Sequence, residues 1–162
     1  MSGSTLRRHA KFVATRTYRA TLKQVWDLWT TKEGFESWWA PDGCRVDVRE
    51  IDARPGGVLR YDMIAETPET NAAMKEIGLA PVNLNHGRFT ELKPRSRLVL
   101  TFTIDFFPGV EAYETEIVVD LVAEGDSVRM VVELSGMHHD DFTKMQENAF
   151  NSQLAKLDAR FA

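Results

Sequence analysis

Cysteine occurs once in this chain, at Cys44. No internal disulfide can form, and a lone thiol points to a reducing compartment. Long apolar runs are missing as well. None approaches the ~18 residues that span a bilayer, so membrane insertion is not expected. The opening Met1-Ser2-Gly3-Ser4-Thr5 lacks the apolar core of a secretion signal, and the expected location is cytoplasmic. An excess of positive charge is also absent. The net charge is −4, which argues against a general nucleic-acid partner. The local basic group Arg7, Arg8, His9 and Lys11 reads as a solvated N-terminal arm.

Catalytic signatures are just as scarce. No G-x-S-x-G elbow occurs, and the histidines show neither H-x-x-x-H nor H-x-H spacing. Gly56-Gly57 does not precede a helix, so it makes no phosphate loop. His138-His139-Asp140-Asp141 resembles a metal cluster at first sight. Adjacent ligands splay apart, however, and Asp140 or Asp141 serves better as a helix N-cap. Cys44 lies within an alternating strand and reads as core rather than nucleophile. No metal, no cofactor and no catalytic residue are expected.

What the sequence does contain is a knot of indoles. All four tryptophans, Trp26, Trp29, Trp38 and Trp39, fall between Thr21 and Pro41. Thr21 is an N-cap candidate, and Val25, Leu28 and Trp29 recur on one helical face. Thr30 or Thr31 could cap a second short helix that Pro41 ends. Trp38 and Trp39 are adjacent, so on a helix they diverge, and one should meet a cavity or the surface.

The remaining pattern is mostly strand. The 162 residues, 43% hydrophobic and 27% charged, fit one domain with a sizeable core, spanning 1–162 with a flexible stretch at 1–8. Strands are expected near 10–20, at 44–51, and from 58 to 65 after the turn Pro55-Gly56-Gly57. Residues 67–84 interrupt the pattern with a helix-like piece from Asn71 to Ile77, the expected mobile insertion. Strands resume near 85–92 and 97–104. Tyr113, Thr115, Ile117, Val119 and Leu121 then alternate with polar residues. After Glu124-Gly125-Asp126-Ser127, Val128, Met130, Val132 and Leu134 do the same. Period-two alternation predicts an antiparallel sheet covered on one face. Phe150, Leu154, Leu157 and Phe161 supply the cover as one stripe of a helix over about 140–161. The expected class is α+β: a curved antiparallel sheet of six to seven strands around a long C-terminal helix, with two short helices after strand 1. Sheet and helix must separate toward one end and leave an apolar cavity.

Several segments carry a family resemblance. They are Arg19-Ala20-Thr21-Leu22-Lys23-Gln24-Val25-Trp26-Asp27-Leu28-Trp29-Thr30, Trp38-Trp39-Ala40-Pro41 and Asp52-Ala53-Arg54-Pro55-Gly56-Gly57. Gly87-Arg88-Phe89-Thr90-Glu91-Leu92 with Arg97-Leu98-Val99 follows, then Asn148-Ala149-Phe150-Asn151-Ser152-Gln153-Leu154-Ala155-Lys156-Leu157. Together they resemble the START-like (SRPBCC, helix-grip) superfamily, in its branch of activator of heat-shock-protein ATPase homologues (AHSA-type). The resemblance covers nearly the whole chain except 67–84. It implies the helix-grip fold and a link to stress response, and it fixes no function, because the fold hosts many. Two departures stand out. The family's C-terminal helix opens with Gly-Trp where this chain has Ala149-Phe150, a change expected to affect packing only. The longer 67–84 loop suggests a remodelled cavity entrance.

Strand parity and helix phase nominate a lining. Met63, Phe102, Ile117, Met130 and Leu134 should face inward, with Trp39, His86, Phe106, Tyr113, Met137, Met145 and Asn148 toward the open end. Methionine suits an adaptable apolar pocket. The leading expectation is a protein that binds a small hydrophobic or aromatic molecule there. One alternative is a cyclase- or hydrolase-like enzyme using His86 or His138 with Tyr113 or an acidic neighbour. Another is an interaction module acting on a chaperone ATPase, as the family name implies. Phe106-Phe107-Pro108-Gly109 reads as an apolar hairpin tip that could close the cavity or pack on a partner, a second copy of the chain included.

Overall fold

The computed structural model describes residues 11–162. The expected flexible stretch at 1–8, with Arg7, Arg8 and His9 of the basic arm, lies outside them. Lys11 falls inside, 3.0 Å from Glu133.

Seven strands form one antiparallel sheet. They are β1 (Phe12–Tyr18), β2 (Cys44–Ile51), β3 (Val58–Ala65), β4 (Val82–Lys93), β5 (Arg97–Ile104), β6 (Tyr113–Glu124) and β7 (Ser127–Leu134). Their order is β1-β7-β6-β5-β4-β3-β2. The chain therefore meanders from β2 to β7, and β7 then pairs with β1. Register irregularities at Val48/Glu50 and Phe89/Glu91 accentuate the sheet's curl. One face alternates into the core through Leu59, Tyr61, Leu100, Phe102, Ile117, Val119, Met130 and Val132. The other carries ion pairs such as Arg49–Asp62 at 2.6 Å and Arg97–Asp120 at 2.9 Å. This is the helix-grip architecture.

The two short helices are α1 (Leu22–Thr30) and α2 (Lys32–Glu36). Thr21 caps α1 through a reciprocal box. Its hydroxyl accepts the Gln24 N–H at 3.1 Å, and the Gln24 side chain accepts the Thr21 N–H at 2.8 Å. Thr31 caps α2, accepting the Gly34 N–H at 3.0 Å. Pro41 does not end α2. The helix stops at Glu36, where the Ser37 hydroxyl donates to the Gly34 carbonyl at 2.6 Å. Trp38 and Trp39 thus lie beyond the helix, so helical phase does not separate them and both are buried. Three of the indoles have acceptors: Trp29 on Met130 Sδ, Trp38 on the Leu28 carbonyl and Trp39 on the Tyr61 hydroxyl.

The interruption forms α3 (Pro68–Glu76), which starts earlier than Asn71 because Thr67 accepts the Thr70 N–H and Pro68 occupies the first turn. β4 likewise begins before residue 85, at Val82, which pairs with Ile64. α3 buries none of its residues. Beyond its C-cap Ile77 the chain turns at Gly78, with φ of +85°, where an added Cβ would stand 2.8 Å from Pro108 Cγ. The insertion therefore packs against the β5–β6 loop.

The last helix, α4 (Asp140–Arg160), grips the sheet. Its cap is His139, whose Nδ1 accepts the Asp141 N–H at 3.1 Å, rather than Asp140 or Asp141. Phe150, Leu154 and Leu157 are buried as the stripe requires, and Phe161 rests 5.0 Å from the Tyr18 ring. The far end is tied down by Asp158, which accepts from the Tyr18 hydroxyl at 2.9 Å and from Arg16 Nε at 3.2 Å. Burial, then the Asp158 bond, raises the Tyr18 phenol above its ordinary value.

Candidate ligand cavity

Between the sheet and the middle of α4 lies a cavity of ≈ 180 Å³. The sheet wall is Tyr61 and Met63 of β3, Asn85 of β4, Phe102 and Ile104 of β5, Thr115, Glu116 and Ile117 of β6, and Leu134 of β7. Most of these sit at alternate positions of their strands, as inward residues must. The helix wall is Gln146, Ala149, Phe150 and Gln153. Trp39 closes one side; Phe106 and Met137, from the loops after β5 and β7, complete the other parts of the rim.

Aromatic rings fix this wall. Trp39 stacks on Phe35 at 5.0 Å and meets Phe150 at 6.0 Å. Tyr61 meets Phe102 edge-on at 6.1 Å. Phe102 can lie flat against β4 because Gly87 offers no side chain: a Cβ there would stand 2.9 Å from Phe102 Cδ1 and 2.6 Å from the Thr101 carbonyl oxygen. The wall includes no lysine, arginine or histidine. Its one acid, Glu116, is an exposed residue whose backbone pairs with Ser135. Burial pushes the Tyr61 phenol above its ordinary value, so it stays protonated.

Of the twelve nominated lining residues, Trp39, Met63, Phe102, Phe106, Ile117, Leu134 and Met137 stand on the wall. The others are placed elsewhere. His86 projects from the outer sheet face with exposed Leu84 and Arg88, its Nε2 2.9 Å from Asp105 Oδ2. Strand parity puts Asn85, not His86, inside. Met130 does face inward but deeper, as the acceptor of the Trp29 N–H at 3.4 Å. Met145 and Asn148 are exposed, because the helix turns Gln146, Ala149 and Phe150 toward the sheet instead.

Tyr113 belongs to a neighbouring cluster. Its hydroxyl lies 2.6 Å from His138 Nδ1 and accepts the His138 backbone N–H at 3.2 Å. The His138 ring packs against Phe142 at 4.7 Å and Phe107 at 5.0 Å. Phe107 is therefore a packed residue rather than a bare hairpin tip. His138 turns toward Tyr113 while His139 caps α4. Among the described residues no three metal-ligating side chains converge. Cys44 is buried, and burial pushes its thiol up, away from nucleophilic use.

Sequence reasoning did not nominate Tyr61, Asn85, Ile104, Thr115, Glu116, Gln146, Ala149 or Gln153. A signal existed for several. Tyr61 is two residues from Met63 on one strand. Gln146, Ala149, Phe150 and Gln153 follow i, i+3, i+4, i+7, one helical face. The Ala149-Phe150 departure consequently lies in the cavity wall. Residues 67–84 contribute nothing to that wall.

The sequence pattern of the family described as Activator of Hsp90 ATPase homolog 1-like protein matches residues 19–162. No curated protein matches the chain by sequence. Solved structures share the fold. A protein from Chromobacterium violaceum has a TM-score of 0.77 at 18% identity, over 93% of this chain and 96% of its own. A protein from Arthrobacter aurescens has a TM-score of 0.73 at 17%, over 96% and 91%. An AHSA1 protein from Silicibacter pomeroyi has a TM-score of 0.70 at 17%, over 93% and 96%.

Proposed function

The chain belongs to the family of Activator of Hsp90 ATPase homolog 1-like proteins, and from that premise we propose that it binds a small hydrophobic or aromatic molecule between the sheet and α4. The observation that carries this reading is the cavity of ≈ 180 Å³ walled by Trp39, Tyr61, Phe102, Phe106 and Phe150 with aliphatic side chains between them. Apolar walls with a few polar groups are the common form of a small-molecule site. The enzyme reading needs a histidine in the cavity, and the wall holds none. The family's name speaks of activating an Hsp90 ATPase, which supplies the competing reading of a partner-binding module. The buried single thiol suits a reducing, cytoplasmic setting. Among the described residues no helix is long and apolar enough to cross a membrane.

Native mass spectrometry of the purified protein, followed by denaturing extraction, tests the proposal. A stoichiometric small molecule that leaves on denaturation supports it. An empty protein whose tryptophan emission stays flat against a panel of lipids and aromatic compounds overturns it in favour of partner binding.

A further inference from the structure

Two polar groups on the cavity wall lack the partners that burial demands. Gln153, on the helix side, is 5% exposed, and its Nε2 has no hydrogen-bond partner. Its neighbour on the same face, Gln146, has one, donating to the Ser135 carbonyl at 3.3 Å. On the sheet side, the Tyr61 oxygen accepts the Trp39 N–H at 2.9 Å. A phenol both donates and accepts, so its own proton remains to be given, and no acceptor among the described residues takes it. A buried donor without an acceptor carries a desolvation penalty, which a ligand acceptor placed there would relieve.

We propose that the cavity selects a neutral aromatic or alicyclic carbonyl compound, of the ketone, quinone or ester class, whose carbonyl oxygen accepts from the Gln153 carboxamide and the Tyr61 hydroxyl. The proposal rests on the carrier reading above. Neutrality follows from the wall: without lysine, arginine or histidine, nothing would offset the cost of burying a carboxylate or phosphate. A pure hydrocarbon fits the apolar walls and leaves both donors unmet, and sites with unmet polar groups discriminate strongly against such analogues. The volume suits one substituted ring or a compact bicycle, since an apolar cavity of about 150 Å³ holds benzene.

Acetophenone and cumene make the test, because they differ chiefly by a carbonyl oxygen in place of a methyl. Binding of each to the full chain and to Gln153→Met is measured by calorimetry. The methionine keeps the length of the side chain and removes the unmet amide, so the variant should melt at or above the wild-type temperature. Acetophenone should bind the variant about tenfold more weakly, while cumene should change by less than about twofold. Equal changes for both probes, or none for acetophenone, overturn the carbonyl assignment and leave the carrier reading standing. Failure of both probes to bind the wild-type protein overturns the carrier reading and this inference together. An independent readout needs no variant: the carbonyl stretch of bound acetophenone should fall below its value in hexane. An unshifted stretch in a bound probe overturns the proposal even if the variant misfolds.

Discussion

The Trp39 indole donates its N–H to the Tyr61 hydroxyl at 2.9 Å, joining the segment after α2 to the middle of β3 inside the core. Both residues are buried and both face the cavity. Tyr61→Phe keeps the ring and its edge contact with Phe102 but strands a buried donor. The expected cost is ~1–3 kcal/mol, the range for a buried polar group left without its partner. Urea denaturation should show the midpoint falling at an unchanged slope. A variant as stable as the wild type would mean that the bond contributes nothing net.

Tyr61 also predicts an alkaline weakness. Burial is the larger cause of its raised pKa, with the Trp39 bond pulling the other way. The unfolded phenol titrates at its ordinary 10.0, and the folded one above that. Between those values the unfolded state binds fewer protons, so stability is intact below pH 10 and falls as pH climbs past it. The slope for one such group approaches ~1.4 kcal/mol per pH unit. Tyr18 and Tyr113 shift in the same direction, each chiefly by burial. Tyrosinate absorbance should therefore rise together with the loss of circular dichroism. A step centred on pH 10 in a protein that remains folded would contradict the burial of Tyr18 and Tyr61.

The Thr21–Gln24 box holds the entry to α1, the helix that carries Trp26 and Trp29 into the core. Thr21→Ala should cost ~1 kcal/mol. Because the two hydrogen bonds are reciprocal, Thr21→Ala and Gln24→Ala should be less than additive in a double-mutant cycle of thermal melts. Strict additivity would show two independent contacts instead of a box.

Much of this fold was legible because its signals are local. The β6 and β7 alternation, the β2 parity of Cys44, Val46 and Val48, and the Phe150–Leu154–Leu157 stripe each depend on one element's own period. The cavity was less legible, because its wall depends on how several elements meet. His86 and Asn85 are neighbours on β4, and one residue of parity decides which enters the site; the irregularity at Phe89/Glu91 blurs that parity in the sequence. Met145 and Gln146 pose the same problem on α4, where only docking against Ser135 fixes the phase. A polar glutamine in an apolar cavity also runs against composition-based reasoning, which places glutamine at the surface. The Thr67 cap and Pro68 were readable signals that set the start of α3, whereas the early start of β4 depends on its pairing with β3.

Gly87 is the position where the sheet itself shapes the cavity. It faces inward on β4 opposite Phe102, and any Cβ there meets the Phe102 ring at 2.9 Å and the Thr101 carbonyl at 2.6 Å. The carbonyl belongs to the backbone and cannot swing aside, so Gly87→Ala must either part β4 from β5 locally or push Phe102 into the open volume. Overpacking of this kind costs ~1–3 kcal/mol. The displaced ring should also narrow the cavity and weaken the binding of any ring-sized probe, cumene included. Arg88→Ala is the control. Arg88 lies next along the strand on the outer face and forms an exposed pair with Glu114 at 3.1 Å, worth ~0–1 kcal/mol. The expected result is a lower melting temperature and weaker cumene binding for Gly87→Ala, with both close to wild type for Arg88→Ala. If Gly87→Ala binds cumene as the wild type does, the Phe102 ring has another way to move, and the volume between sheet and helix is not set at Gly87.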